Sequence, residues 1–428
     1  MALTKDGYKK RLVDDKIERY LKIFGALSIE GPKWCGKTWT ALNHSNSVVY
    51  LDESAENYNI RSLAEMNVSL ILGNEYPQLI DEWGKFPAIW DAVRHKCDMD
   101  NIKGKYILTE STSIRDYSKI SHSGAGRIDR LKMYSMSLYE SGDSTGEISL
   151  LDMFKNKNIS LNSKIKPTLP LLAKLVVRGG WPENLTIDEK DINILPTSYI
   201  NAILKADISN DGVVRDENKM RMLIRSLARN ESTIVSNSTL IKDIEDITSN
   251  EEYNISRNTI ADYLNILEKL YLIENQQPYT FNLRSRERVG KSAKRHFTDP
   301  SLACAALAIK PDMLINDIKT FGFMFESLVE RDLRIYIESL DGKIYHYRNN
   351  DNGLEIDAIV ELPSGEYGAI EIKLGTNELD DAKKNLIRFS NEVMVEPKFK
   401  CIICGLWNSI IKDPETGIYI IPITALKP

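Results

Sequence analysis

The chain has 428 residues, a formal net charge of −5, and hydrophobic residues at 42% of its positions. This length exceeds what one hydrophobic core usually holds, and the acidic balance excludes a general attraction to nucleic acid while leaving local basic patches open. The sequence has no apolar run of about 18 residues, no signal peptide, and five scattered cysteines. We therefore expect several domains in a cytoplasmic protein that does not enter a membrane.

A phosphate-binding loop is predicted close to the start of the chain. The motif G-x-x-x-x-G-K-[ST] is filled by Gly31, Pro32, Lys33, Trp34, Cys35, Gly36, Lys37 and Thr38. An apolar run precedes the loop, and a helical pattern continues through Trp39, which gives the strand–loop–helix context that the motif requires. Lys37 would contact the β- and γ-phosphates and Thr38 would bind Mg²⁺, so we expect ATP and Mg²⁺ as ligands.

Short apolar runs alternate with helical patterns over residues 1–150, which predicts a parallel α/β sheet. The predicted strands are Ala26–Glu30, Val48–Leu51, Gln78–Asp81, Tyr106–Thr109 and Leu131–Met136. Asp81 and Glu82 follow the third run, where Asp81 would hold Mg²⁺ and Glu82 would act as general base. Thr109 ends the fourth run and either orients the attacking water or is an ordinary residue at a strand end.

A glycine-rich segment, Ser123–Arg130, follows the fourth strand. Such segments place basic side chains near phosphates, and Arg127 is predicted to reach the γ-phosphate of its own chain or of a neighbouring subunit. The second arrangement predicts a homo-oligomer.

Five stretches resemble bacterial and archaeal AAA-type ATPases (AAA_14-like) that carry a C-terminal DUF4143 domain. They are GPKWCGKTWTA, PQLIDEWGKFPAIWDAVR, YILTES, GAGRIDRLKMYSMSLYE and RGGWPE. The resemblance implies an AAA-like sheet with an additional strand. One departure is Glu110, because this chain reads T-E-S where the family usually reads T-G-S.

Residues 151–230 are predicted to form a helical lid, and residues 231–300 a winged helix. Two amphipathic helices, Ser238–Ile247 and Ser256–Leu272, are followed by an extended stretch. The segment HFTDPSLACAAL resembles the family element that follows the wing, although Ser301 stands where the family mostly has glycine.

A DNA-reading surface is predicted on this winged helix. Arg257, Asn258 and Thr259 begin its recognition helix, with Ser256 as N-cap. The predicted wing carries Arg284, Arg286, Arg288, Lys291 and Lys294. Such a basic patch suits the DNA backbone. The alternatives are a protein-binding module and a solvated basic loop.

Residues 301–428 are predicted to form an α/β domain with a nuclease-like centre. A helix over Gly322–Tyr336 precedes three strands, Lys343–Arg348, Leu354–Val360 and Tyr367–Lys373, and an apolar strand, Lys400–Gly405, follows later.

Charged residues interrupt the second and third of these strands. Glu371 and Lys373 share one face of their strand, and a hairpin brings Asp357 close to them. Asp357 and Glu371 would bind Mg²⁺, Lys373 would orient or deprotonate the nucleophile, and Glu326 could add a further ligand. The three motif residues resemble those of the PD-(D/E)xK restriction-endonuclease-like family.

The predicted fold class is α/β: a parallel-sheet P-loop AAA-like ATPase domain, then a winged-helix domain, then an α/β restriction-endonuclease-like domain. The predicted function is ATP binding and hydrolysis coupled to engagement of nucleic acid, most simply DNA, with Mg²⁺-dependent cleavage at the C-terminal centre. The alternative is an ATP-driven switch that binds DNA or protein partners and whose C-terminal domain is structural.

Overall fold

The computed structural model describes residues 3–51, 58–73, 75–100, 102–111, 123–208, 215–248, 255–281 and 293–428. The chain divides into two compact units. The first comprises Met1–Ser135, Ala206–Val214 and Lys269–Tyr271, and the second comprises Met136–Lys205, Arg215–Glu268 and Leu272–Pro428. No helix in the described ranges is long and apolar enough to cross a membrane.

The first unit contains a parallel sheet of five strands. They are β1 (Ala26–Glu30), β2 (Ser47–Tyr50), β3 (Gln78–Asp81), β4 (Tyr106–Glu110) and β5 (Ile128–Lys132), in the spatial order β2-β3-β4-β1-β5. Because β4 lies between β1 and β3, the predicted additional-strand topology is confirmed. The fifth strand begins at residue 128 and not at 131 as predicted.

Helices pack on this sheet and explain its apolar strands. They are α1 (Asp14–Leu21), α2 (Lys37–Asn43), α3 (Tyr58–Met66) and α4 (Ala88–Asp100). Residues Ala26, Ile80 and Tyr106 of three strands join Trp83 and Trp90 in one buried cluster. Strands buried on both faces read as nearly continuous apolar runs, which is why the predicted bounds of β1, β3 and β4 agree closely with the structure.

The second unit holds the remaining helices and strands. Its helices are α5 (Leu138–Ser141), α6 (Leu150–Phe154), α7 (Leu169–Arg178), α8 (Ile194–Ala202), α9 (Glu217–Arg229), α10 (Asn237–Thr248), α11 (Arg257–Lys269), α12 (Pro300–Ala306), α13 (Pro311–Asn316), α14 (Ile318–Ser339) and α15 (Leu379–Glu392). Its strands are β6 (Ile148–Ser149), β7 (Ser160–Asn162), β8 (Ile273–Pro278), β9 (Lys294–Phe297), β10 (Lys343–Arg348), β11 (Glu355–Glu361), β12 (Tyr367–Lys373), β13 (Phe399–Cys404), β14 (Ser409–Lys412), β15 (Tyr419–Ile421) and β16 (Leu426–Lys427).

Nine of these strands form one mixed sheet, in the order β7-β14-β15-β13-β12-β11-β10-β8-β9. In the segment predicted as a wing, β8 and β9 pair as an antiparallel hairpin, and the winged helix itself stays a prediction. However, β8 also pairs in parallel with β10 through Gln277 and Tyr345, so the hairpin is one edge of the large sheet. The sheet thus takes strands from all three segments that the sequence assigned to a lid, a winged helix and a nuclease-like domain. The boundaries at residues 150, 230 and 300 stay predictions.

A buried ionic cluster ties four parts of the second unit together. Arg331 on α14 donates to Asp299 at 3.0 Å and to Asp332 at 2.6 Å, and all three side chains are essentially inaccessible to solvent. Asp299 also accepts from the backbone N–H of Gly180, and Asp332 from that of Leu138. The arginine and the backbone donors together satisfy carboxylates that could not otherwise stay buried.

This packing explains the two glycines of RGGWPE. A Cβ on Gly179, whose φ is +67°, would lie 2.3 Å from Asp299 Oδ1, and a Cβ on Gly180 would lie 1.9 Å from the carbonyl oxygen of Met136. Neither position has room for a side chain, so the turn after α7 requires glycine twice.

The departure at Ser301 is accommodated in the same place. The Ser301 hydroxyl donates to Asp299 Oδ1 at 2.6 Å and accepts from Trp181 Nε1 at 2.9 Å. Both polar groups are thereby paired inside the core, so serine fits where the family mostly has glycine.

Replacing Arg331 with alanine should lower the free energy of unfolding of the second unit by about 3–5 kcal/mol, because two carboxylates lose their buried partner. Urea denaturation followed by circular dichroism measures this. Arg388→Ala is the matched control, since Arg388 pairs with Glu392 on an exposed helix face and should change stability little. Equal effects of the two substitutions would contradict a structural role for the buried cluster.

Candidate functional site

The phosphate-binding loop joins β1 to α2. Gly36 adopts a φ of +97° at the N-cap of α2, a conformation that favours glycine. A Cβ on Gly31 would lie 2.1 Å from the carbonyl oxygen of Met133, so glycine is needed for the close approach to the chain after β5. Trp34 and Trp39 beside the loop are 43% and 44% exposed. Glycine is thus required where the loop approaches the chain after β5, and the indoles of Trp34 in the loop and Trp39 beyond it are accessible.

Lys37 is folded into the loop. Its side chain is buried, and its Nζ donates to the carbonyl oxygens of Gly31 at 3.0 Å and Pro32 at 2.6 Å. An ammonium held only by neutral carbonyls can exchange them for the more strongly attracting oxygens of a phosphate.

Asp81 at the end of β3 lies beside the loop. Its Oδ1 accepts from the Thr38 hydroxyl at 2.9 Å and also from the Thr109 hydroxyl on the neighbouring β4. Burial raises the pKa of Asp81, while these two hydroxyl bonds act in the opposite direction. Hydroxyl and carboxylate oxygens are the ligands that Mg²⁺ prefers, so this donor set suits the ion. Thr109 therefore orients the carboxylate, a third possibility beside the two that the sequence left open.

Glu82 follows Asp81 with a φ of +55°. Its Oε1 accepts from the Ser111 hydroxyl at 2.6 Å, which holds the carboxylate at the end of β4. Glu110, the departure from the family pattern, is buried on β4 opposite Glu30 of β1 in the strand register.

Arg127 lies at the wrong edge of the sheet for the phosphates of its own chain. Its carbonyl oxygen accepts from the N–H of Ala26, the first residue of β1, whereas the phosphate-binding loop follows the last residue. Its half-exposed guanidinium pairs with Asp98. Because the strands are parallel, the possibility of a contact within one chain is wrong, and a contact in a neighbouring subunit stays a prediction.

The C-terminal motif residues come together as predicted. Lys373 Nζ lies 3.1 Å from Asp357 Oδ2 and 2.7 Å from Glu371 Oε2. Asp357 Oδ2 also accepts from the backbone N–H of Ile372 at 2.8 Å. The predicted helix residue, Glu326, adds a third carboxylate to the electrostatic surroundings of Glu371.

The two motif carboxylates differ in their electrostatics. Burial raises the pKa of Glu371 to about 8, whereas Lys373 and Lys294 hold the pKa of Asp357 below its ordinary value although burial opposes them. Glu371 Oε1 is buried and accepts no hydrogen bond from the described residues. A buried carboxylate oxygen without a hydrogen-bond donor is a suitable ligand for a cation.

Lys294 belongs to this cluster, in contrast to the exposed wing position that the sequence predicted for it. Its side chain is buried on β9 and pairs with Glu326, with Glu355 at 3.8 Å. Despite burial, these carboxylates hold the pKa of Lys294 above its ordinary value. A buried, paired ammonium does not face a DNA backbone. The sequence offered no signal for this pairing, because 32 positions separate Lys294 from Glu326.

The cluster would hold a metal with few protein ligands. Among the described residues, no three or more His, Cys, Asp or Glu side chains are grouped so that they could bind a metal ion. Of the predicted ligands, Asp357 and Glu371 are therefore the two carboxylates that could bind the ion. Two carboxylates suit Mg²⁺, because this ion commonly uses one or two of them with water and phosphate oxygens.

The remaining predicted DNA contacts are partly described. Arg257 and Asn258 are exposed and Thr259 is half-buried at the start of α11. Ser256 caps this helix as predicted, accepting from the Thr259 N–H at 3.1 Å. Arg284, Arg286, Arg288 and Lys291 lie outside the described residues.

Three family models match separate segments of the chain. Residues 24–142 match the AAA domain (AAA_14), residues 169–313 match a domain of unknown function (DUF8612), and residues 321–426 match another (DUF4143). The first and third matches confirm the resemblance to AAA_14 and DUF4143 on those segments.

Related chains of known sequence are uncharacterized. One from Mycobacterium tuberculosis is 22% identical over 84% of this chain and 72% of its own, and one from Haemophilus influenzae is 20% identical over 85% and 88%. Among solved structures, a Walker-type ATPase of Pyrococcus abyssi is 11% identical, with a TM-score of 0.41 over 72% of this chain and 98% of that one. The Aeropyrum pernix Orc1 protein in complex with DNA is 12% identical, with a TM-score of 0.25 over 73% and 95%. These TM-scores are too low to carry an argument. The ATPase-like fold rests instead on the strand order and on the match to the AAA domain.

Proposed function

We propose that this protein binds and hydrolyses ATP with Mg²⁺ at the P-loop. The observation that supports this most directly is the meeting of Thr38 and Asp81, joined by a 2.9 Å hydrogen bond, beside the buried amine of Lys37. These are the three groups that a P-loop ATPase uses for the metal and the phosphates, and the strand order brings them together.

Each residue has a distinct part in this reaction. Lys37 leaves the loop carbonyls and neutralises phosphate charge, while Thr38 and Asp81 would hold Mg²⁺. The bound ion would offset the negative charge that develops on the transferred phosphoryl group. Glu82, oriented by Ser111, accepts a proton from the attacking water.

Glu82→Gln should lower kcat for ATP hydrolysis by about 10²–10⁴-fold and leave the Kd for ATP nearly unchanged, because a general base acts in the transition state. Phosphate release and nucleotide titration measure the two quantities. Lys37→Ala should instead abolish tight binding, and ATP turnover that survives Lys37→Ala would refute the assignment.

The phosphate-release assay also tests whether Arg127 acts in the site of a neighbouring subunit. Arg127→Ala should then lower the turnover of an assembled oligomer. If Arg127→Ala is fully active, that role is excluded.

We further propose that the C-terminal cluster cleaves phosphodiester bonds with a bound divalent cation. The unsatisfied, buried Glu371 Oε1 beside Asp357 and Lys373 favours this function. Asp357 and Glu371 would hold the ion, which would supply positive charge to the scissile phosphate. Lys373 would orient or deprotonate the nucleophile. The alternative is a structural cluster in which Lys373 and Lys294 merely neutralise the acids, in a protein that acts as a nucleotide switch.

Plasmid and linear DNA should be cut in Mg²⁺ or Mn²⁺, and Asp357→Asn or Lys373→Ala should abolish cutting. A ligating carboxylate must be deprotonated. Burial raises the pKa of Glu371 to about 8 without the ion, so the affinity for Mg²⁺, and with it cleavage at subsaturating Mg²⁺, should increase as the pH rises towards that value. Asp351→Asn, in an exposed turn, is the control. DNA that stays intact with both ions, with and without ATP, would favour the structural alternative.

DNA contact through the start of α11 is a separate proposal, supported by the exposure of Arg257 and Asn258. The double substitution Arg257→Ala/Asn258→Ala should weaken DNA binding by about 1–3 kcal/mol and flatten its salt dependence. Fluorescence anisotropy over a salt series measures both, with the exposed Arg225 of α9, replaced by alanine, as control. Unchanged affinity and salt slope would assign the α11 surface to another partner.

A further inference from the structure

The phosphate-binding loop is held from behind by an arginine outside the motif. Arg11 is buried, and its guanidinium donates to the carbonyl oxygen of Cys35 in the loop at 2.8 Å. The same group donates to the carbonyl oxygens of Tyr134 at 2.9 Å and Ser135 at 3.3 Å, just after β5. One side chain therefore fixes the loop to a second part of the first unit.

The bond to Cys35 also fixes the next peptide N–H. A trans peptide is planar, so its C=O and N–H point in opposite directions. When the Cys35 carbonyl faces Arg11, the N–H of Gly36 faces away from Arg11. The backbone N–H groups of this loop are the ones that cradle nucleotide phosphates. We propose that Arg11 is a positioning residue that aims the Gly36 N–H at the phosphates of a bound nucleoside di- or triphosphate. This proposal depends on the nucleotide binding proposed above.

Arg11 is itself held in place by the residues around it. Its backbone N–H donates to buried Asp14 at 2.8 Å, and Asp14 also accepts from the Tyr8 hydroxyl at 2.7 Å. Asp14 further pairs at 2.9 Å with His44, the C-cap residue that follows α2. The segment from Tyr8 to Asp14 thus holds α2 at both ends, one through Cys35 and the other through His44. The loop is consequently oriented before a ligand arrives.

Lysine cannot replace this arrangement. A guanidinium offers five donors in a planar fork, and Arg11 uses two of its nitrogens to reach carbonyls of two separate segments. A lysine ammonium would keep the positive charge at this position but would lack the planar fork that reaches two carbonyl groups at once. Arg11→Lys therefore tests orientation with little change in charge.

The experiment compares steady-state ATP hydrolysis and Mg²⁺-ADP binding in the full chain and in Arg11→Lys, Arg11→Ala and Lys10→Ala. Lys10 is the matched control, because its exposed side chain pairs with Asp15 at the surface. Both Arg11 variants should raise KM for ATP and Kd for ADP about tenfold, the loss expected for one charge-assisted hydrogen bond, with kcat nearly unchanged. A merely structural role would reduce the folded fraction, which lowers the apparent kcat and leaves KM unchanged.

Unaltered KM and Kd in a folded Arg11→Lys variant would overturn the proposal, as would a fall in kcat alone. If Arg11→Ala fails to fold, the lysine variant decides. If the unaltered protein neither binds ADP nor hydrolyses ATP, the proposed function itself is refuted, and this is seen before any variant is compared.

Discussion

The hydrogen bond between Thr38 and Asp81 is the contact that organises the candidate site of the first unit. It joins the last residue of β3 to the helix that follows β1, over 43 positions of sequence, and β4 lies between those two strands. Thr109 on that intervening strand donates to the same carboxylate oxygen. The Asp81 side chain therefore receives hydrogen bonds from the end of β4 and from the helix that follows β1, and this requires the observed strand order. A parallel sheet makes this possible because all its strands end at the same edge. The other groups of the site, Lys37 and Glu82, are placed relative to this pair.

The meeting of these side chains could be predicted from the sequence because its signals are local. A motif of eight residues and an acid pair after an apolar run each identify a strand end without knowledge of the partner strands. Arg127 shows where this reasoning fails. Its glycine-rich segment precedes β5 both in the prediction and in the structure. In a parallel sheet the start of β5 lies at the edge opposite to the end of β1, where the phosphate-binding loop begins, and the local pattern that suggested a phosphate contact carries no information about that arrangement.

The second unit was less predictable because its important contacts join distant segments. Asp357, Glu371 and Lys373 lie on adjacent strands of a hairpin, so their meeting followed from alternation and a turn. Lys294 could be read only as one more basic residue in a wing, since nothing in its neighbourhood specifies Glu326 as its partner. The segment Arg178-Gly179-Gly180-Trp181 resembles a family motif, and its physical cause is the buried Asp299 and Arg331. Asp299 is 119 positions from Gly180, so the local sequence carries no sign of this contact.

The nine-stranded sheet has a consequence for how the chain folds during synthesis. Its edge strand β7 pairs with β14, and Asn162 and Ser409 are 247 residues apart. On the ribosome, β7 is therefore made long before its partner strand exists, and the hairpin β8–β9 also precedes β10. Closing a loop of this length costs conformational entropy before the strand pairing contributes any stabilisation, which slows folding. The second unit can close its sheet only after nearly the whole chain has been made, and until then unpaired strand edges are open to other chains.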